Sequence, residues 1–322
     1  MAGLGSVFFT HAQWVRLREV AHVLDEEPIH DFSTARAAEL LGACDVLLAH
    51  WGCPVIDADT VARAPNLKLI AYAAGTVKWV VTTAVWERGI VVTSAASANA
   101  VPVAEYTVAA IVLANKGAFV SREWYRDRSL RLRRPTPVGN VDKQVGLVGA
   151  SHVGRLVIQR LAPFDLHVAV YDPYLSEAEA DGLGVVKVDL ADLMRTSDVV
   201  SLHAPDVAAT KGMIGAAELA LLRDGATLIN TARGALVDVG ALERELVTGR
   251  ISAVLDVTEP EPPPAGSLLY ELPNVFLTPH LAGAQGTELV RLADVAIEEI
   301  ERFAHGRPPR YPVAHADLDR IA

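Results

Sequence analysis

Short runs of β-branched and aliphatic residues alternate with stretches of helical period along almost the whole chain. That alternation predicts an α/β fold with mostly parallel sheets. In the first hundred residues, the runs 7–10, 46–49, 67–72 and 90–93 predict strands. Residues 13–24 and 57–64 predict helices between them, with Asp57 placed to cap the second. Residues 100–116 predict one long helix. A polar, arginine-rich segment with Pro135 and Pro137, residues 121–144, follows it as a surface arm or linker. A second series begins at Val145, with strands expected at 145–148, 167–171, 199–203, 227–230, 253–256 and 276–278. These runs are apolar on both faces, as in a parallel sheet covered by helices on both sides. A last helix, 288–304, precedes the loop Gly306-Arg307-Pro308-Pro309 and is expected to return the chain to the first domain. The organisation expected is one domain over 1–100, completed by 291–322, and a second over 101–290.

Composition narrows the class. A chain of 322 residues suffices for two domains with separate cores. With 51% apolar and 21% charged residues it is a folded sequence, not a disordered one. A formal net charge of −10 speaks against a nucleic-acid surface, so any anionic ligand must be held by local cations or helix N-termini. Cys44 and Cys53 form neither a disulfide framework nor a zinc site, and the expectation is free thiols in a reducing compartment, hence a cytoplasmic protein without metal. The N-terminus has no basic region followed by an apolar core, so no signal peptide is expected. The apolar stretch 101–120 is interrupted by Glu105 and Lys116, which suits a buried helix and not a membrane span.

The chemistry concentrates in the second series. Gly149-Ala150-Ser151-His152-Val153-Gly154 follows a predicted strand and opens a helix, the setting in which a glycine-rich turn binds a dinucleotide. Gly149 would make the tight turn, Gly154 would let helix and strand approach, and the helix N-terminus would face a pyrophosphate. Ser151 stands where a middle glycine is usual, and its side chain either crowds the pyrophosphate or hydrogen-bonds it. Arg155 is either a phosphate contact or a solvated helix-start arginine. Asp172 ends the next strand, about twenty residues on. An acid there accepts from ribose hydroxyls and repels a 2′-phosphate, which predicts NAD over NADP.

Ligands of open α/β sheets bind at the carboxyl ends of strands, and Gly149, Asp172, His203, Asn230, Asp256 and His280 all fall at or just past such ends. The expected cofactor-binding set is Gly149, Ser151, His152, Val153, Gly154, Asp172, His203, Ala204, Thr231, Ala232, Asp256 and His280, with Asp256 set to bond the nicotinamide carboxamide. Arg233, Glu261 and His280 supply a cation, a carboxylate and an imidazole. A guanidinium grips a carboxylate through two parallel bonds and polarises a neighbouring carbonyl. His280 would pass a proton to a ketone or take one from an alcohol near neutral pH. Glu261 would orient the imidazole and stabilise its charged form. Together these residues point to hydride transfer on a small 2-oxo or 2-hydroxy acid.

The segments that carry this chemistry resemble the D-isomer-specific 2-hydroxyacid dehydrogenase family over nearly the whole chain. The resemblance lies in Asn230-Thr231-Ala232-Arg233-Gly234-Ala235-Leu236-Val237-Asp238, in Leu255-Asp256-Val257 with Pro260-Glu261-Pro262, and in Thr278-Pro279-His280. It implies Arg233, Glu261 and His280 as the family's catalytic triad. It also implies a Rossmann-type NAD-binding domain plus a flavodoxin-like substrate domain, an active site in the cleft between them, and a homodimer. The family's substrate loop reads like Arg-Ala-Gly-Val-Gly-Val-Asp, whereas this chain has Tyr72-Ala73-Ala74-Gly75-Thr76-Val77-Lys78. Backbone N–H groups of that loop hold the substrate carboxylate in the family, which assigns substrate binding here to Ala74, Gly75 and Thr76 together with Arg233 and His280. Lys78 either adds positive charge near them or faces solvent, and Trp51 either walls the pocket or belongs to the core. The alternative is a non-catalytic NADH-sensing interaction protein on the same fold, which the altered loop motivates.

Overall fold

The computed structural model describes residues 8–126, 139–318 and 320. Val7, the N-terminus on which the signal-peptide expectation rests, and residues 127–138, the greater part of the expected arm, lie outside the described residues. Two compact units emerge, Met1–Asn99 with Ala284–Ala322, and Ala100–Gly283.

The Ala100–Gly283 unit is built on a seven-stranded parallel sheet. In chain order its strands are β4 (Lys143–Val148), β5 (Leu166–Tyr171), β6 (Val186–Lys187), β7 (Val199–Leu202), β8 (Thr227–Asn230), β9 (Ser252–Leu255) and β10 (Val275–Leu277). Their spatial order is β10-β9-β8-β7-β4-β5-β6, so the winding reverses between β4 and β7. A reversal of this kind opens a crevice beyond the strand ends, where ligands of such sheets bind. Side chains alternate between the two faces along each strand. Val148, Val200, Leu202 and Leu228 pack on one side, while Val145, Leu147, Val199 and Ile229 pack on the other. Both faces are apolar because both carry helices, which is why the strands read as continuous hydrophobic runs. β6 was not foreseen: it is two residues at the sheet edge, too short to carry a pattern.

The other unit holds a three-stranded parallel sheet, ordered β1 (Val46–Ala49), β2 (Leu69–Tyr72) and β3 (Val91–Ser94). Asp57 caps the helix Ala58–Arg63 as expected, its carboxylate accepting from the Thr60 N–H. The strand expected at 7–10 does not form among its described residues. Thr10 instead caps the helix His11–Val20, in a reciprocal box with Gln13. In the core Phe8 stacks on His50, and Phe9 packs at a tilt against Trp14. Leu292, Ala296, Ile297 and Ile300 of the helix Leu289–Ala304 pack into this same unit, with Leu17, Leu69 and Ala71. Trp51 packs within the apolar clusters of this unit.

Among the described residues one helix, Ala96–Asn115, is long and apolar enough to cross a membrane by length and composition. It contains Pro102 and buries Ala104, Ala110 and Ile111 in the core beside β4 and β8. The segment expected as an arm begins as a helix, Ala118–Arg126, and its last described residues enter β4. Glu123 pairs with Arg126 one helical turn on, as well as with its neighbour Arg122.

Candidate active site

Gly149 directly follows β4 with φ +105°, and its N–H donates to the Tyr171 carbonyl at 2.8 Å. A Cβ on Gly149 would stand 2.8 Å from the Ala204 nitrogen, and one on Gly154 would collide with the Gly149 carbonyl oxygen. Both positions therefore require glycine: the first for conformation and approach to the segment after β7, the second for approach of helix to strand. Ser151 has a structural role besides either expected behaviour, and its hydroxyl keeps a proton to donate. It caps the helix His152–Leu161, its Oγ accepting from the Gly154 N–H. The N–H groups of His152 and Val153 remain at the open first turn of that helix. Arg155 donates to the Ala150 carbonyl and to Glu179 at 3.0 Å, and its side chain stays partly exposed.

Asp172 follows β5 and joins the turn. Its carboxylate accepts the Ala150 N–H at 2.7 Å and the Tyr174 N–H at 2.8 Å. A carboxylate offers about four acceptor positions, so two remain for ribose hydroxyls. His203, after β7, is buried against Ser201, with 3.0 Å between Nε2 and Oγ. Burial pushes its imidazole down to about 3, so it stays neutral and brings no charge to the turn. The glycines, the helix end and Asp172 together fit a dinucleotide cofactor.

Three further loops rise from the ends of β8, β9 and β10. Asn230 closes the first, accepting the Ala232 N–H at 3.1 Å and donating to the Arg233 carbonyl at 2.8 Å. Thr231 is buried and pairs with Thr107 at 2.8 Å. Burial lowers the Arg233 guanidinium from its ordinary value, while the Asp206 and Glu261 carboxylates oppose that effect. An arginine keeps its charge under these conditions. The second loop carries Glu261, and the third carries His280 in a left-handed conformation, φ +52°. The two meet with 2.9 Å between His280 Nδ1 and Glu261 Oε1. Nδ1 therefore holds the proton shared with the carboxylate, and Nε2 is the nitrogen left for other chemistry. Asp256 lies fully buried beneath this loop, its carboxylate taken up by Thr278, Leu281 and Ala282.

Arg233, Glu261 and His280 thus come together in the unit that also carries the glycine turn. Ala74, Gly75 and Thr76 belong to the other unit, just past β2. Among the described residues, the N–H groups of these three donate to no protein acceptor. The Ala74 and Gly75 carbonyls are instead held by the Ser94 hydroxyl, at 3.3 and 2.5 Å. Tyr72 is buried in the core of this unit, and burial raises its phenol to about 12. Lys78 is half-buried, and its N–H donates to Thr76 Oγ1. The unit also contains an apolar cavity of about 670 Å³ lined by Trp14, Leu17, Leu41, Leu47 and Phe303, but none of the candidate residues borders it. Among the described residues, no three His, Cys, Asp or Glu side chains gather as metal ligands.

The sequence model of the D-isomer specific 2-hydroxyacid dehydrogenase, NAD binding domain, matches residues 108–282. The chain belongs to the D-isomer specific 2-hydroxyacid dehydrogenase family. Its curated relatives include the D-3-phosphoglycerate dehydrogenase of Archaeoglobus fulgidus, 32% identical over 80% of this chain and 49% of that one. The glyoxylate reductase of Korarchaeum cryptofilum is 34% identical over 83% of this chain and 81% of the reductase. Among solved structures, the TT0316 protein of Thermus thermophilus is 31% identical and superposes with a TM-score of 0.77, covering 94% of this chain and 96% of its own. The chain spans about half the length of the D-3-phosphoglycerate dehydrogenases it matches.

Within this 2-hydroxyacid dehydrogenase fold, two features escape a reading of sequence. A Cβ on Gly234 would collide with the backbone carbonyl of Thr258. The loop after β8 and the loop after β9 are therefore in backbone contact, and this contact sets Arg233 beside Glu261. The only signal was the Arg233-Gly234 pair itself, which does not say what the glycine approaches. The second feature is Tyr106, whose hydroxyl reaches Thr278 at 2.9 Å from a helix far away in sequence.

Proposed function

We propose that the chain is an NAD(H)-dependent oxidoreductase interconverting a small 2-oxo acid and a D-2-hydroxy acid. The observation that carries this reading is the 2.9 Å pairing of His280 with Glu261, beside Arg233 and past the carboxyl ends of the same parallel sheet as the glycine turn. NAD, when bound, supplies or accepts the hydride. His280 is the general acid and base: with Nδ1 held by Glu261, Nε2 gives its proton to the carbonyl oxygen in reduction and takes it back in oxidation. Arg233 binds the substrate carboxylate and draws electron density from the carbonyl. The N–H groups of Ala74, Gly75 and Thr76 hold the carboxylate as backbone donors, which need a conformation and not a particular side chain. On the cofactor side, Gly149, Ser151, His152, Val153 and Gly154 receive the pyrophosphate and Asp172 the adenosine ribose. His203, Ala204, Thr231, Ala232, Asp256 and His280 surround the remainder. Asp172 disfavours a 2′-phosphate, so NAD is preferred over NADP.

The test is loss of NADH absorbance with the purified protein against glyoxylate, pyruvate, hydroxypyruvate, phenylpyruvate and branched-chain 2-oxo acids. Glyoxylate comes first because of the 34% identical glyoxylate reductase. Turnover on any member supports the reading. Tight NADH binding with no turnover across the panel would overturn it in favour of an NADH sensor. The family resemblance further supports a homodimer, for which light scattering should give twice the chain mass; a monomer would refute it. The free thiols of Cys44 and Cys53 support a cytoplasmic setting.

A further inference from the structure

Something must hold His280 in its left-handed conformation, which residues with a Cβ seldom adopt. The holder is Asp256. Its backbone carbonyl accepts the His280 N–H at 2.9 Å. Its Oδ1 accepts the Leu281 N–H at 2.9 Å and the Thr278 hydroxyl at 2.6 Å, and its Oδ2 accepts the Ala282 N–H at 2.8 Å. Residues on both sides of His280 are thus fastened to one buried carboxylate.

Thr278 has a second partner, the Tyr106 hydroxyl at 2.9 Å. A hydroxyl has a single proton to give. Surrounded by donors, the Asp256 carboxylate accepts, so the Thr278 proton goes to Asp256. Thr278 Oγ1 must then accept from Tyr106. The direction of the chain is fixed: Tyr106 donates to Thr278, and Thr278 donates to Asp256. Burial raises the Tyr106 phenol, which keeps it a donor at neutral pH and above. Tyr106 sits on the long helix Ala96–Asn115, and its neighbour Thr107 bonds Thr231 in the loop that carries Arg233. One helix therefore reaches the bases of two of the three functional loops through adjacent residues.

We propose that Tyr106 and Thr278 are positioning residues for His280: their hydroxyls anchor Asp256, and through it the left-handed turn, to the helix. This rests on the reading of His280 as the acid and base. Neither hydroxyl is assigned a contact with the reacting atoms; both act through Asp256.

The variants are Thr278→Val, Thr278→Ser and Tyr106→Phe in the full chain, read by steady-state kinetics, NADH titration and backbone amide exchange. Thr278→Val should lower kcat about 10- to 100-fold, the range expected when a reacting group is displaced by a fraction of an ångström to an ångström. The Kd for NADH should stay unchanged, and Thr278→Ser should restore most of kcat. Tyr106→Phe should lower kcat less, and the double variant Thr278→Val with Tyr106→Phe should be no slower than Thr278→Val, because the link is already cut. The Leu281 and Ala282 amides should exchange faster in Thr278→Val and Tyr106→Phe but not in Thr278→Ser. Wild-type kcat and exchange in Thr278→Val would overturn the proposal, as would a Thr278→Ser as slow as Thr278→Val. Should the wild type turn over no 2-oxo acid, the reading of His280 fails, and the amide exchange still decides whether the two hydroxyls anchor the turn.

Discussion

Replacing His280 with alanine should lower kcat for 2-oxo-acid reduction by about 10²- to 10⁴-fold, the usual contribution of a positioned general acid. The substrate carbonyl then has no proton donor at the point where the hydride arrives, because Nε2 is the nitrogen that Glu261 leaves available. Binding of NADH should be little affected, since His280 is one of many residues around the cofactor and the glycine turn and Asp172, which take its pyrophosphate and ribose, lie at other strands. Stability should hold as well, because the imidazole is about half exposed and its packing is slight. A companion, Glu261→Gln, keeps an oxygen acceptor for Nδ1 but loses the charge, and should fall between wild type and His280→Ala. Full turnover in His280→Ala, measured with an excess of 2-oxo acid, would remove His280 from the mechanism.

Gly234→Ala should lower kcat/KM about 10²-fold through geometry alone. The added methyl would occupy the space of the Thr258 carbonyl. The obstacle is backbone, so the strain cannot be relieved by turning a side chain, and the loops after β8 and β9 must separate. Arg233 is the residue before Gly234, and Glu261 lies three past Thr258, so that separation draws the guanidinium away from the carboxylate. Overpacking of this kind also destabilises, by about 1–3 kcal/mol, and a thermal melt should show it. The control is Gly182→Ala in the helix Glu177–Leu183, where a Cβ meets nothing within 4 Å. Alanine there should be neutral or stabilising, since glycine is the poorer helix former by about 1 kcal/mol. Equal activity of Gly234→Ala and wild type would show that the contact of the two loops does not set the site.

The parallel strands were legible because a strand buried on both faces must be apolar throughout, and few other elements of that length are. The segment 7–10 shows the limit of that signal. Phe8 and Phe9 are apolar for a reason unrelated to a sheet, and Thr10 serves the helix that follows. The helix Ala118–Arg126 escaped because its arginines and glutamate, read along the sequence, look like an arm, and the pairing of Glu123 with Arg126 at helical spacing appears only when the backbone is coiled. At the site, positions past strand ends could be read directly, since the ladder fixes where each loop starts. What those loops do to one another could not. The collision that requires Gly234 involves Thr258, and the support of His280 comes from Tyr106, more than 170 residues away in sequence. Ser151 illustrates the same gap at short range: both of its expected behaviours concern a ligand, and neither includes the cap that its oxygen makes on the helix it begins.

The candidate acid and base, its carboxylate, its arginine and the cofactor turn all lie in the unit Ala100–Gly283, while the 72–78 loop lies in the other. The division separates two chemical tasks between two compact units. On the proposed function, the residues around His280 would handle a proton and a hydride, which are common to every substrate of this kind, whereas those around Gly75 would handle the shape of one molecule. The departures of this chain from its family fall in both units: Ser151 stands in the cofactor turn of one and Tyr72 to Lys78 in the other, while Thr278-Pro279-His280 keeps the common form.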